Sequence, residues 1–361
     1  MRLDIPFVRP HHLSFGTISA ANYLIVRLRT DDGLEGLGEA VTLGGPTWNE
    51  ESVDLAEVVA ERYLAPELIG LDPFGIEQVH AVMDRRVKGN RFAKAAVEMA
   101  CYDLVGKALG RPLYDLLGGP YRDRIPLSWS LAIGDVAAEV AEAERLIERG
   151  HGIFKIKVGE LAPSEDVARV QQLAAALGGR ARLRVDANQG WDEAASLSAI
   201  PALEAAGIEL LEQPVPRWNV AALARLAARF DLPIMADESV CTPHDALDLI
   251  RLAAADVFAL KLAKAGGIKP SKAVAAIAAA AGLPCYVGCM IETGIGTAAY
   301  AHFAASTPAV TLGCELFGPL LLVEDIVAEP IRYEAGQIVV PDGPGLGVRL
   351  DEAQVRQFPC R

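Results

Sequence analysis

From about residue 126 the chain repeats one pattern eight times: a short β-rich apolar run, then an Ala/Leu-rich stretch with helical spacing. The runs are PLSWSLA (126–132), FKIKV (154–158), LRVDA (183–187), LLEQP (210–214), IMADE (234–238), VFALK (257–261), CYVGC (285–289) and TLGCEL (311–316). Their starts lie 23 to 29 residues apart, the length of one βα unit, and eight such units predict a (β/α) barrel. A doubly wound sheet is the competing architecture, but no GxGxxG follows any of the runs. Upstream, ANYLIVRLRT and LEGLGEA flank an Asp-Asp-Gly turn, a hairpin signature. Residues 50–65, 75–87 and 91–109 then carry helical spacing. The expected fold is therefore α/β: a modified TIM (β/α) barrel over 121–320 with an α+β capping domain over 1–120. Gly118, Gly119 and Pro120 punctuate the boundary. The segment 321–361 contains IRYEAGQIVV and PDGPGLGVRL, which read as strands and turns packing back on the capping domain.

A barrel strand is buried on both faces, so a charge within it is costly unless it is partnered. These strands nevertheless carry charges at their C-terminal ends, the face where barrel active sites lie. Asp186, Glu212 and Asp237 end consecutive strands at intervals of 26 and 25 residues, with Glu238 beside the last. The spacing predicts that the three acids converge at one height. Anions that close cannot all stay ionised without a cation, and hard oxygen ligands suit Mg²⁺ or Mn²⁺. Taken singly, each acid would read as a cap of the following helix.

Lys155 and Lys157 are two apart in FKIKV and so share a face, which leaves Phe154, Ile156 and Val158 to face the helices. Lys261 ends the sixth strand, across the barrel. Lysines crowded by other cations and a metal ion should have depressed pKa values; a lone lysine would instead read as a surface residue with its stem along apolar surface. Glu292 in MIETGIG and Glu315 in CELFGP follow strands seven and eight, placed to anchor a lysine or donate a proton, or to form an ion pair without catalytic work. The six histidines form no ligand spacing; His11 and His12 could reach the site on an N-terminal loop, but the expected reading is solvated loop residues. No GxSxG nucleophile motif occurs.

Composition narrows the field. In 361 residues, 52% are hydrophobic and 22% charged, enough for a large core. The net charge of −13 excludes the basic stripe that nucleic-acid binding needs, but it does not exclude an anionic ligand at a locally positive site. There is no signal-peptide pattern and no uncharged run long enough to span a membrane. Six scattered cysteines without a CxxC read as reduced thiols, hence an expected cytoplasmic location.

Together, Lys155-x-Lys157, Asp186-x-Asn188, Glu212-Gln213-Pro214, Asp237-Glu238-Ser239 and Lys261-x-x-Lys264 resemble the muconate-cycloisomerase subgroup of the enolase superfamily, over nearly the whole chain. GEAVTLGGPTWNEES (38–52) resembles that family's mobile loop, and ELFGPLLLVEDIV (315–327) follows its pattern. The resemblance implies one divalent cation, Mn²⁺ or Mg²⁺, on Asp186, Glu212 and Asp237, with Glu238 behind them. It implies Lys157 as the main acid/base, with Lys155 lowering its pKa and Lys261 facing it across the substrate. Glu315 is implied as a proton donor, and Leu43, Trp48, Asn188, Glu292 and Phe317 as substrate contacts. It further implies a small dicarboxylate substrate, cis,cis-muconate or a substituted muconate, closed to a lactone through an enolate in aromatic catabolism. A homo-oligomer is expected, often an octamer among such relatives. N-acylamino-acid racemisation and o-succinylbenzoate synthesis use the same lysines, and a metal-stabilised binding protein is a rival of another class. Counting three acids, one divalent ion and three lysines predicts a positive pocket.

Overall fold

The structure is a computed structural model and describes residues 1–360. Strands β1 (Arg2–Leu13), β2 (Gly16–Arg29) and β3 (Glu35–Thr42) form an antiparallel meander. Alternation turns Leu3, Ile5 and Phe7 of β1 inward. The helix Arg91–Leu109 lies across this sheet. Gly36 and Gly38 permit the close approach: a Cβ on Gly38 would sit 1.9 Å from the Ala96 carbonyl oxygen. The stretch expected as one helix over 50–65 is α-helical over Val53–Val59, opens into a π turn at Ala60–Leu64 and closes at Ala65–Leu68.

Strand β4 (Arg124–Pro126) leads into the barrel strands β5 (Ser128–Leu131), β6 (Ile153–Lys157), β7 (Arg182–Asp186), β8 (Leu210–Glu212), β9 (Ile234–Ala236), β10 (Val257–Leu260), β11 (Cys285–Val287) and β12 (Val310–Cys314). All eight pair in parallel in sequence order. Between β12 and β5 the seam is bridged only by Leu127 and Cys314 among the described residues, so the barrel is nearly closed. Leu210, Met235, Val257, Ala259 and Tyr286 pack as a separate cluster in the barrel interior. Strand β14 (Gln337–Val339) pairs with β4 on one side and with β13 (Tyr333–Glu334) on the other. Beyond them the chain returns to β1, where Leu3 bridges Pro359.

The capping domain is tied to the barrel by buried polar contacts. Glu39 on β3 accepts from the backbone N–H groups of Thr293 (3.0 Å) and Gly296 (3.1 Å), at the N-terminus of the helix Gly294–Ala305. The Tyr23 hydroxyl donates to the Ile291 carbonyl at 2.8 Å. No helix among the described residues is long and apolar enough to cross a membrane.

Candidate active site

The strand register sets the site. Lys157 lies opposite Asp186, and Asp186 opposite Glu212. Glu212 faces Met235, which puts Asp237 two residues further along its strand. Register slips by about one residue per strand around a tilted eight-stranded barrel, so the two-residue advance brings Asp237 back to the layer of Asp186, with Glu212 about one residue below. Spacing along the chain does not encode this stagger.

Asp186, Glu212, Asp237 and Glu315 each have a lysine on them. Lys155, wholly buried, has its Nζ 2.5 Å from Glu212, 2.6 Å from Glu315 and 3.8 Å from Asp186. Lys157 Nζ donates to Asp186 at 2.6 Å and to the Asn188 side-chain oxygen at 3.1 Å. Lys261 and Lys264 grip the two oxygens of Asp237 at 2.6 Å each. Asn188 Nδ2 donates to Glu238 at 3.2 Å. Five carboxylates (Asp186, Glu212, Asp237, Glu238 and Glu315) therefore meet four ammonium groups. These side chains alone sum to −1; the expected positive count included a divalent ion, which would bring this fuller set, with Glu238, Glu315 and Lys264, to +1.

The expectation of depressed lysine pKa values counted a bound metal ion; the side chains alone balance differently. Burial pushes the Lys157 ammonium down, and Lys155 adds to that, but Asp186 with Glu315 outweighs them and the pKa is raised. Burial likewise lowers Lys155 and Lys261, and Glu212 and Asp237 respectively reverse the sign. Burial, then Asp186, lifts Glu212 to about 8; burial, then Asp237, lifts Glu238 to about 7. Asp237 is buried too, yet Lys261 and Lys264 hold it below the usual carboxylate range. Packed acids of this kind call for further positive charge.

The donor set fits a hard divalent cation. It is all carboxylate oxygen, and neither Glu212 oxygen has a well-angled hydrogen bond, even with Lys155 at 2.5 Å. Among the described residues no three acidic, histidine or cysteine side chains already converge as a cation cage, since each carboxylate leans on an ammonium instead.

Above these groups lies a cavity of about 50 Å³ lined by Lys157, Asn188, Lys261, Glu315, Phe317, Leu43 and Trp48, together with His11, Phe15 and Cys289. The Trp48 indole covers Lys261, its ring centroid 4.3 Å from Nζ. Phe317 is buried against Trp129. Glu292 does not reach this cavity: its carboxylate accepts from Met290 N at 2.9 Å and turns toward the helix Gly294–Ala305. A larger cavity of about 860 Å³ lies in the capping domain between β2 and the helices, and none of the paired lysines lines it.

Several supporting residues carry no signal in the sequence. Arg169 binds Glu139 through two 2.7 Å contacts and donates to the Lys157 carbonyl, while Asp166 accepts from Gly159 N at 2.8 Å. Together they clamp the end of β6. Gln213 accepts from the N–H groups of Asp237 (3.0 Å) and Ser239 (3.1 Å), joining two strand ends. Asn188, Gln189, Gln213 and Ile291 all adopt left-handed φ, so backbone strain gathers at the mouth. His11 is not in a solvated loop: it belongs to β1 and is 5% exposed.

An eight-stranded parallel barrel with lysines and acids at its strand ends, roofed by an α+β domain, defines a capped-barrel enzyme. Family models agree: residues 2–118 match the mandelate racemase / muconate lactonizing enzyme N-terminal domain, and residues 138–354 match the enolase C-terminal domain-like family. Muconate cycloisomerase 1 of Rhodococcus opacus is 45% identical over 99% of this chain and 96% of its own length. A chloromuconate cycloisomerase of Cupriavidus necator is 43% identical with the same coverage. The crystal structure of muconate lactonizing enzyme from Pseudomonas fluorescens complexed with muconolactone superposes with a TM-score of 0.97 at 45% identity, covering 99% of this chain and 97% of that one. The chain belongs to the muconate lactonizing enzyme subgroup of the enolase superfamily.

Proposed function

We propose that this enzyme closes cis,cis-muconate, or a substituted muconate, to the corresponding lactone in aromatic catabolism. The observation that carries the reading is one cavity lined by Lys157, Lys261 and Glu315 together. Full-length similarity to muconate and chloromuconate cycloisomerases supports it. Asp186, Glu212 and Asp237 would hold a divalent cation, Mn²⁺ or Mg²⁺, which supplies Lewis-acid polarisation of a substrate carboxylate.

The chain's own residues do the rest. Lys261, covered by Trp48, and Lys157 offer ammonium groups to the diacid. One substrate carboxylate oxygen adds to the distal double bond, forming the C–O bond, and the π electrons move onto the carbon beside the other carboxylate. Lys157 delivers its proton to that carbon and regains one from solvent, to which its side chain is 12% exposed. An ammonium at Lys157 is the form this direction requires. Lys155, locked between Glu212 and Glu315, fixes the floor beneath it.

The test is the loss of diene absorbance when muconate or a chloromuconate is added to purified enzyme, abolished by a chelator and restored by Mn²⁺ or Mg²⁺. If neither diene is consumed while an N-succinyl amino acid is racemised or the succinylbenzoate precursor is dehydrated, the reading is wrong.

A further inference from the structure

His11 lies on β1, beyond the register shift between Pro6 and His11, and its ring enters the wall of the cavity that holds Lys157, Lys261 and Glu315. It is the only member of its dipeptide to do so; His12 is exposed and bonds Thr17 at 2.8 Å. His11 is 5% exposed, and its Nδ1 is buried without any hydrogen-bond partner. Its ring contact is Phe7, with centroids 6.0 Å apart. A buried imidazole nitrogen left unpaired is costly, and such groups in native structures are normally satisfied by something.

The capping domain offers the cavity His11, Leu13, Phe15, Leu43 and Trp48. Three of these are apolar, and the Trp48 ring face is taken up by Lys261. His11 is thus the buried polar group on the roof, opposite a floor of ammonium groups. We propose that His11 donates a hydrogen bond to the substrate carboxylate remote from the Asp186–Glu212–Asp237 end, making it a specificity-determining residue for diacids. The inference rests on the lactonising reading above. Burial, with Arg9 and Lys157 adding to it, depresses the His11 pKa to about 4, so the ring is neutral at working pH. With its proton on the nitrogen that faces the substrate, the neutral ring donates to the carboxylate. Holding one oxygen leaves the second free to close the ring.

Calorimetry with adipate, an unreactive six-carbon diacid, tests this against its monomethyl ester in metal-loaded wild-type, His11→Leu and His11→Gln enzymes. Adipate affinity should fall roughly ten- to a hundredfold in His11→Leu, the worth of one hydrogen bond to a charged group. The half-ester should change by less than about threefold, and His11→Gln, which keeps an N–H donor, should recover part of the loss. With muconate the same variant should raise KM far more than it lowers kcat. Equal losses for diacid and half-ester, or adipate affinity within about threefold of wild type, overturn the assignment. His11→Phe replaces His11→Leu if the latter does not fold. Wild-type enzyme that never consumes muconate defeats the lactonising reading alone, and the adipate comparison still decides the role of His11.

Discussion

Replacing Arg169 by Met separates stability from positioning at the catalytic strand. Arg169 is 5% exposed and Glu139 4%. The guanidinium contacts both Glu139 oxygens at 2.7 Å and also donates to the Lys157 carbonyl. In the single variant Glu139 keeps one partner, Gly134 N at 3.0 Å, and is otherwise a buried carboxylate without its cation. Breaking a buried pair this way costs about 3–5 kcal/mol. With an unfolding entropy of about 2.1 cal/mol/K per residue, a chain of 361 residues loses about 4–7 °C in Tm. The double variant Glu139→Met/Arg169→Met removes both charges, and well-packed apolar replacements of a buried pair are often close to neutral. Stability should therefore return to within about 1–2 kcal/mol of wild type. Turnover should not return, because the Lys157 carbonyl has lost its donor in both variants. Thermal melts and steady-state kinetics on wild type, Glu139→Met, Arg169→Met and the double variant read out the cycle. If the double variant melts no higher than Arg169→Met, or if it regains wild-type kcat, the argument fails.

Lys157→Ala should lower kcat by about 10²–10⁴-fold, the usual worth of a positioned acid/base, with an unchanged circular dichroism spectrum; a near-normal rate removes Lys157 from its role. Gly38→Ala pushes a Cβ to 1.9 Å from Ala96 O and 2.9 Å from Ala100 N, so urea unfolding should show a loss of about 1–3 kcal/mol or more, and an unchanged midpoint would contradict the close helix–sheet contact. His302 is buried, with Nε2 3.1 Å from the Leu346 carbonyl, and burial lowers its pKa to about 4 from 6.5. Above pH 6.5 neither state holds this proton; as pH falls below that, the unfolded chain binds it and the folded chain does not, so about 2–3 kcal/mol is lost by pH 4.5, and His302→Gln should flatten that part of the pH–stability curve relative to wild type.

The barrel was legible because each of its strands is a compact apolar run between helical stretches, and all eight runs, from Ser128–Leu131 to Val310–Cys314, lie where periodicity put them. Lys155 and Lys157 could be turned inward from their two-residue spacing alone, since strand alternation is local. What the sequence left open was relational. The two-residue offset of Asp237 depends on how β8 registers with β9. The lysine pKa directions are set first by Glu212, Asp186 and Asp237, with Glu315 and Glu238 adding to them from other strands. Arg169 lies twelve residues beyond Lys157 on a helix, and only the fold brings its guanidinium back to that carbonyl. His11 looked like polar chain near a terminus, and nothing in PHH marks a ring that will lie under a roof.

The buried grip of Glu39 and Tyr23 on the loop after β11 has a kinetic corollary. With the roof tied at that corner, we predict that traffic of a six-carbon diacid through so small a chamber passes the span between β3 and Ser52, where Gly44 and Gly45 adopt left-handed φ. Admission and release then become the business of about ten residues, and deuterium uptake that quickens there while β3 stays protected would trace the doorway.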